Sequence, residues 1–278
     1  MKQLSWFFVF ILSSCTSTIQ HAGTIAETGG LYPAQYKTKF YTLQSYYRHS
    51  ADHKPLMVLI EGDGKAYLNR TTISPNPTPQ HPIALQLAAK SRHANVLYLA
   101  RPCQFVDVNQ APHCTPKVWT THRYNQTVVD ATHDALKLHL KHHPAQGIHF
   151  VGFSGGALIA ASLATSRADT LSLQTVAGNL DVQAFTTHHN ISPLPNSVQL
   201  NKAFNTLKNI PQIHFTGGAD KVIPTHLIAH FLTTFKHNKH CIQHINIPGA
   251  NHQTLWEKIT LDFSHSTQCR SEQSVESL

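Results

Sequence analysis

A chain of 278 residues with 41% hydrophobic and 13% charged side chains can bury one large α/β domain or two small ones, and is too apolar to be disordered. The formal net charge is +8, but the lysines and arginines are scattered without a dense run, which argues against a nucleic-acid platform. The 22 histidines include the pairs His142–His143 and His188–His189, yet no HExxH, no other metal-ligand spacing and no CxxC occurs, so no metal site is predicted.

The first stretch in chain order is "MKQLSWFFVFILSSCTST". Lys2 precedes an apolar run, Leu4 to Leu12, that is far shorter than the roughly 20 residues a bilayer span needs. These are the proportions of a secretory signal. Leu12-Ser13-Ser14-Cys15 resembles the lipobox that ends a bacterial lipoprotein signal peptide. The resemblance implies that residues 1–15 are a signal peptide and that Cys15 is lipidated. Thr16 after the cysteine implies export to the bacterial cell envelope with anchoring at the outer membrane. The other four cysteines are Cys103, Cys114, Cys241 and Cys269. An even remainder in an oxidising compartment points to disulfides. Three pairings are possible, and the local one, Cys103 with Cys114 and Cys241 with Cys269, is the simplest.

Residues 16–36 are rich in Thr, Gly, Ala and Ser and read as a flexible tether. A partly alternating, aromatic stretch at 40–47 predicts a half-exposed strand. Continuous apolar runs at 56–60, 96–99 and 148–151 predict strands covered on both faces. Residues 65–82 hold four prolines and predict an irregular insertion. Helices are predicted at 83–90, at 118–142 with Val128, Ala131, Ala135 and Leu138 on one face, and at 157–166. Beyond them come a strand at 171–177, a polar insertion at 179–208 that could cap a site, and a strand at 213–216. A helix at 225–235, a strand at 242–247, a helix at 253–261 and a polar tail at 270–278 complete the chain. The alternation predicts an α/β class fold: one domain over 37–269 with a doubly wound, mostly parallel sheet flanked by helices and carrying small cap or loop insertions.

The candidate chemistry centres on Gly152-Phe153-Ser154-Gly155-Gly156, a G-x-S-x-G between a predicted strand and a predicted helix. In that context the serine sits on a sharp turn at a helix N-terminus, where free N–H groups favour developing negative charge. A serine nucleophile needs a base, and the base an orienting acid. Asp220 follows the 213–216 strand by four residues, and His252 follows the 242–247 strand and Pro248-Gly249. Chain order and strand-end placement both fit a Ser, Asp, His set. Asp181, after the 171–177 strand, is the alternative acid. Asp63 is too close to the first core strand for that role, His265 falls beyond the last helix and His244 lies mid-strand. Oxyanion donors are expected at the backbone N–H of Gly155 and of Asp63, with Gly64 second, in the loop Glu61-Gly62-Asp63-Gly64.

The elbow, the two strand-end partners and the glycine loop resemble the α/β-hydrolase superfamily across about residues 40–265. Glu61 stands where that family often has His. The resemblance implies an exported serine hydrolase that cleaves carboxylic esters through an acyl-enzyme, needs no cofactor, and takes a small-molecule or lipid-like ester as its partner. A serine peptidase or amidase of the same fold, or a catalytically silent envelope binding protein, are the alternatives. The stretch Arg101-Pro102-Cys103-Gln104, with Trp119 and Arg123-Tyr124, also looks like exported hydrolases of this superfamily and is expected to form a braced loop near the site.

Overall fold

The computed structural model describes residues 17–235 and 241–264. The predicted signal peptide with Cys15, the predicted disulfide partner Cys269, His265 and the 270–278 tail lie outside the described residues.

The chain opens with helix α1 (Thr18–Thr28) and strand β1 (Tyr32–Lys37), then β2 (Thr42–His49), β3 (Leu56–Ile60), α2 (Ile83–Lys90) and β4 (Asn95–Leu99). Next come α3 (Pro116–Trp119), α4 (Gln126–His142), β5 (Ile148–Phe153), α5 (Gly156–Thr165) and β6 (Thr170–Val176). The last part holds α6 (Val182–His188), α7 (Phe204–Leu207), β7 (Gln212–Gly217), α8 (Thr225–Leu232) and β8 (Ile242–Ile247).

Eight strands form one sheet in the order β1-β2-β4-β3-β5-β6-β7-β8. Pairing is antiparallel at β1–β2 and β2–β4 and parallel from β4 to β8. Every residue of β3, β4 and β5 is buried, as continuous apolar strands between two helical layers must be. One core layer lies under α4, α5 and α8, the other under α1 and α2. The chain leaves β3 for β4 on one side and returns to β5 on the other. The carboxyl ends of β3 and β5 therefore flank the crevice where such sheets carry their sites.

Several expectations need correction. From residue 17 on, the predicted 16–36 tether is a capped helix and the start of an edge strand. Ser17 and Gln20 form a capping box, Ala22 and Ala26 are buried, and α1 packs on α2. Small side chains that read as linker are what lets two helices approach: a Cβ on Gly29 would stand 2.4 Å from Ala89 Cα. The helix predicted at 118–142 is two helices. Asn125 caps α4 by accepting from Val128 N at 3.1 Å, and the break at 120–125 carries Arg123 and Tyr124 inward. On α4, His139 rather than Leu138 completes the buried face. The helix predicted at 253–261 shortens to a 3-10 turn, Leu255–Lys258, because Asn251 Oδ1 accepts from the amides of Gln253 and Thr254 and makes a turn there instead.

Cys103 and Cys114 are joined as a disulfide across 11 residues. Cys241 is also disulfide-bonded.

Candidate active site

Ser154 sits between β5 and α5 with φ of +50°, a strained value for a residue with a side chain. Its backbone is tied on both sides: Ser154 N donates to Val176 O at 3.0 Å, and Ser154 O accepts from Asn179 N at 2.9 Å. The flanking glycines are sterically required. A Cβ on Gly152 would come within 2.4 Å of Ala157 Cα, and one on Gly156 within 2.4 Å of the Ile60 and Glu61 carbonyl oxygens. The strand-to-helix turn thus presses onto both its neighbours and thrusts one hydroxyl into solvent-accessible space.

The structure brings Ser154, His252 and Asp220 together although they are far apart in sequence. His252 Nε2 lies 3.1 Å from Ser154 Oγ, and His252 Nδ1 lies 2.8 Å from Asp220 Oδ2. With Nδ1–H donating to the carboxylate, Nε2 is left to accept the serine proton. Asp220 is held from its other oxygen, Oδ1, which accepts from Val222 N at 2.7 Å and Ile223 N at 2.9 Å. Asp220 and His252 are buried and Ser154 is half-buried, so the relay runs from the interior to the cleft. The Phe153 ring packs at a 40° tilt against the His252 ring, centroids 5.0 Å apart, and braces it.

Asp181, the alternative acid, lies elsewhere. Its carboxylate caps α6 by accepting from Ala184 N at 2.9 Å and lines a second cavity that Ser154 does not reach. His244 faces Thr216 Oγ1 at 2.9 Å on the sheet.

The amides of Gly155 and Asp63 donate to no acceptor among the described residues. Gly62 runs directly beside the serine: a Cβ there would lie 3.3 Å from Ser154 Cβ and 2.9 Å from the Phe153 ring. Gly64, at φ +68°, turns the loop away under Pro77, whose carbonyl oxygen leaves no room for a side chain. Glu61 is buried and its Oε1 accepts from Gly62 N at 2.9 Å. Burial pushes its carboxyl up to about 7.

Above Ser154 and His252 opens a cleft of about 700 Å³. One part of its wall is apolar, with Phe153, Phe185, Ile223 and Trp256; Lys65, His81 and Glu257 supply charge or polarity elsewhere. Among the described residues no three His, Cys, Asp or Glu side chains converge as a metal site requires. Sequence reasoning missed how Arg101, Gln104, Arg123 and Tyr124 bear on this loop, because their contacts to it span tens of residues and follow no periodicity.

Comparison with known proteins agrees with this fold. Many solved structures share the fold, among them the following three. The Pyrococcus furiosus esterase has 13% identity and a TM-score of 0.56, over 88% of this chain and 91% of its own. An alpha-beta serine hydrolase homologue from Coxiella burnetii has 15% identity and a TM-score of 0.52, over 87% and 94%. The Pyrococcus horikoshii acylaminoacyl peptidase has 13% identity and a TM-score of 0.55, over 88% of this chain and 41% of its own. No curated protein matches the sequence. The serine hydrolase (FSH1) family matches residues 83–249, a segment that begins at α2, takes in the Ser154 elbow and Asp220, and stops three residues short of His252. That match spans more than half of the chain, and the protein therefore belongs to the FSH1 family of serine hydrolases.

Proposed function

We propose that the protein cleaves carboxylic esters through an acyl-enzyme on Ser154, with His252 as base and then acid and Asp220 as the residue that orients it. The observation that carries this reading is the unbroken line of contacts from Asp220 through His252 to Ser154 Oγ, at 2.8 and 3.1 Å, at the floor of an open cleft. Ser154 Oγ attacks the ester carbonyl carbon as its proton passes to His252 Nε2. The carbonyl oxygen becomes an oxyanion, met by the free amides of Gly155 and Asp63. Collapse breaks the C–O bond to the alcohol, which takes the proton from His252. Water, deprotonated by the same imidazole, then attacks the acyl-serine and releases the carboxylic acid.

The apolar wall of Phe153, Phe185, Ile223 and Trp256 favours an ester with a hydrocarbon acyl group. The fold neighbours include a peptidase as well as an esterase, so amide cleavage is the second reading. We also propose that the chain is exported and anchored through lipidated Cys15, on the strength of the Leu12-Ser13-Ser14-Cys15 pattern.

A fluorophosphonate probe is expected to label the protein, and Ser154→Ala to abolish both labelling and turnover. Equal labelling of the variant overturns the assignment. A panel of esters graded in acyl length, run beside aminoacyl and peptide amides, decides the reaction class. Faster turnover of the amides replaces the ester reading, and absence of both labelling and turnover leaves the binding-protein alternative.

A further inference from the structure

Arg101, Gln104, Arg123 and Tyr124 take no part in the chemistry above, yet the structure gathers them round one peptide bond. That bond joins Gly62 to Asp63. Its carbonyl oxygen, on Gly62, accepts a hydrogen bond from Gln104 Nε2 at 3.0 Å. No peptide among the described residues is cis. A trans peptide is planar and its C=O and N–H point in opposite directions. Gln104 therefore fixes the direction of the Asp63 N–H by holding the other end of the same plane. This is the amide with no acceptor of its own, in the loop that runs beside Ser154.

Gln104 is itself immobilised. It is buried, its Oε1 accepts from Arg101 N at 3.1 Å, and it follows Cys103 of the disulfide. The Asp63 side chain is gripped separately. Arg101 Nη1 donates to Oδ1 at 3.2 Å, Arg123 Nε lies 3.1 Å from Oδ2, and the Tyr124 hydroxyl donates to Oδ2 at 2.5 Å. The two arginines are locked to each other, since Arg101 Nη2 donates to the Arg123 carbonyl. The gripped carboxylate also bears on the elbow: a Cβ on Gly155 would stand 2.0 Å from Asp63 Oδ1 and 2.5 Å from the Tyr124 hydroxyl. One residue thus carries one free amide on its backbone and, with its side chain, spaces that amide from the free amide of Gly155. Two guanidinium groups against one carboxylate leave a surplus positive charge beside the place where negative charge develops.

We propose that Gln104, and the grip of Arg101, Arg123 and Tyr124 on Asp63, are positioning elements that hold the Gly62–Asp63 peptide in the orientation that offers its N–H to the oxyanion formed on Ser154. The proposal rests on Ser154 being the nucleophile, and its test separates the two ideas. Gln104→Glu keeps the size of the side chain and an acceptor for Arg101 N, but at neutral pH turns an oxygen toward the Gly62 carbonyl. Tyr124→Phe keeps the ring and both ion pairs and removes only the hydroxyl that donates to Asp63 Oδ2; because no buried guanidinium loses its counter-ion, this second variant is expected to fold even if the first does not.

Both are made in the full chain and assayed with a short-chain ester. A trifluoromethyl ketone, whose tetrahedral adduct on the serine carries the oxyanion, is titrated in parallel. Expected for Gln104→Glu is a fall in kcat of about 10- to 100-fold with KM within about threefold of the parent, and a loss of ketone affinity by the same factor. Tyr124→Phe is expected to fall in the same direction by a smaller factor. Retention of kcat and ketone affinity within about twofold in every variant that folds, in an enzyme labelled at Ser154, overturns the positioning role alone. A fall in kcat that tracks the unfolded fraction, with ketone affinity per folded molecule unchanged, overturns it as well. A parent with no Ser154-dependent labelling fails the nucleophile reading first, and this proposal with it.

Discussion

Ser154 occupies a left-handed backbone conformation that a serine on its own would avoid, and the fold holds it there with hydrogen bonds to Val176 and Asn179. The requirement was readable in advance, since glycines two residues to either side are what such a turn demands. The choice of acid is a sharper case. Asp181 and Asp220 both follow strands, but only Asp220 reaches His252, while Asp181 spends its carboxylate on the Ala184 amide of α6. Asp220→Asn is expected to lower kcat about 10⁴-fold, because the imidazole loses the partner that sets its tautomer. Asp181→Asn is expected to leave kcat within a few-fold and stability within about 1 kcal/mol, since Asn caps helices as well as Asp does. Steady-state kinetics on the two variants checks both, and loss in the Asp181 variant alone reverses the assignment. Order along the chain made the serine, aspartate and histidine legible. The partners of Asp63 were not, because a guanidinium 38 residues away leaves no periodic mark.

Strands and helices were legible wherever one residue class ran without interruption, as in β3 and β5. They were not where short segments borrow their stability from neighbours. Helix α1 fully buries only the small residues Ala22 and Ala26, with Ile25 partly packed beside them, so its Thr-, Gly- and Ala-rich composition reads as linker, and its place on α2 defines it. Helix α2 shows a related dependence. Its N-cap is Pro82, which offers no side-chain acceptor, and Glu61 reaches across to accept from Ala84 N at 3.4 Å. The carboxyl is buried, and burial raises it from the usual 4.5 to about 7 in the folded state. A group whose folded pKa is raised stabilises the fold below the unfolded pKa, and that contribution is lost as pH rises through the folded value. Between pH 5 and pH 8 the parent is therefore expected to lose about 2 kcal/mol of unfolding free energy relative to Glu61→Gln. Denaturant unfolding at the two pH values measures the difference, and parallel pH dependence of the two proteins contradicts it.

At the scale of the whole molecule, the sheet order explains why residues from four separate strand ends meet. Asp63 follows β3, Ser154 follows β5, Asp220 follows β7 and His252 follows β8, all at one edge of a parallel array. Alternation of strand and helix made that architecture legible, while the antiparallel β1 at its margin was hidden in a stretch that read as linker. The export proposal bears on the whole molecule too. Cys15→Ser is expected to move the protein from the membrane to the soluble fraction of its host, and unchanged fractionation counts against the anchor.

The early start of α1 bears on that anchor. Between Cys15 and the first residue of α1, Thr18, only Thr16 and Ser17 intervene. Three residue steps reach at most about 10 Å whatever their conformation. If Cys15 carries the proposed lipid, a body on so short a leash could not sweep through the surrounding solution as one on a twenty-residue linker would. It would ride on the bilayer in a narrow range of tilts, meeting esters that lie in or arrive at the lipid surface, so that its working concentration of substrate is counted per area of membrane rather than per volume.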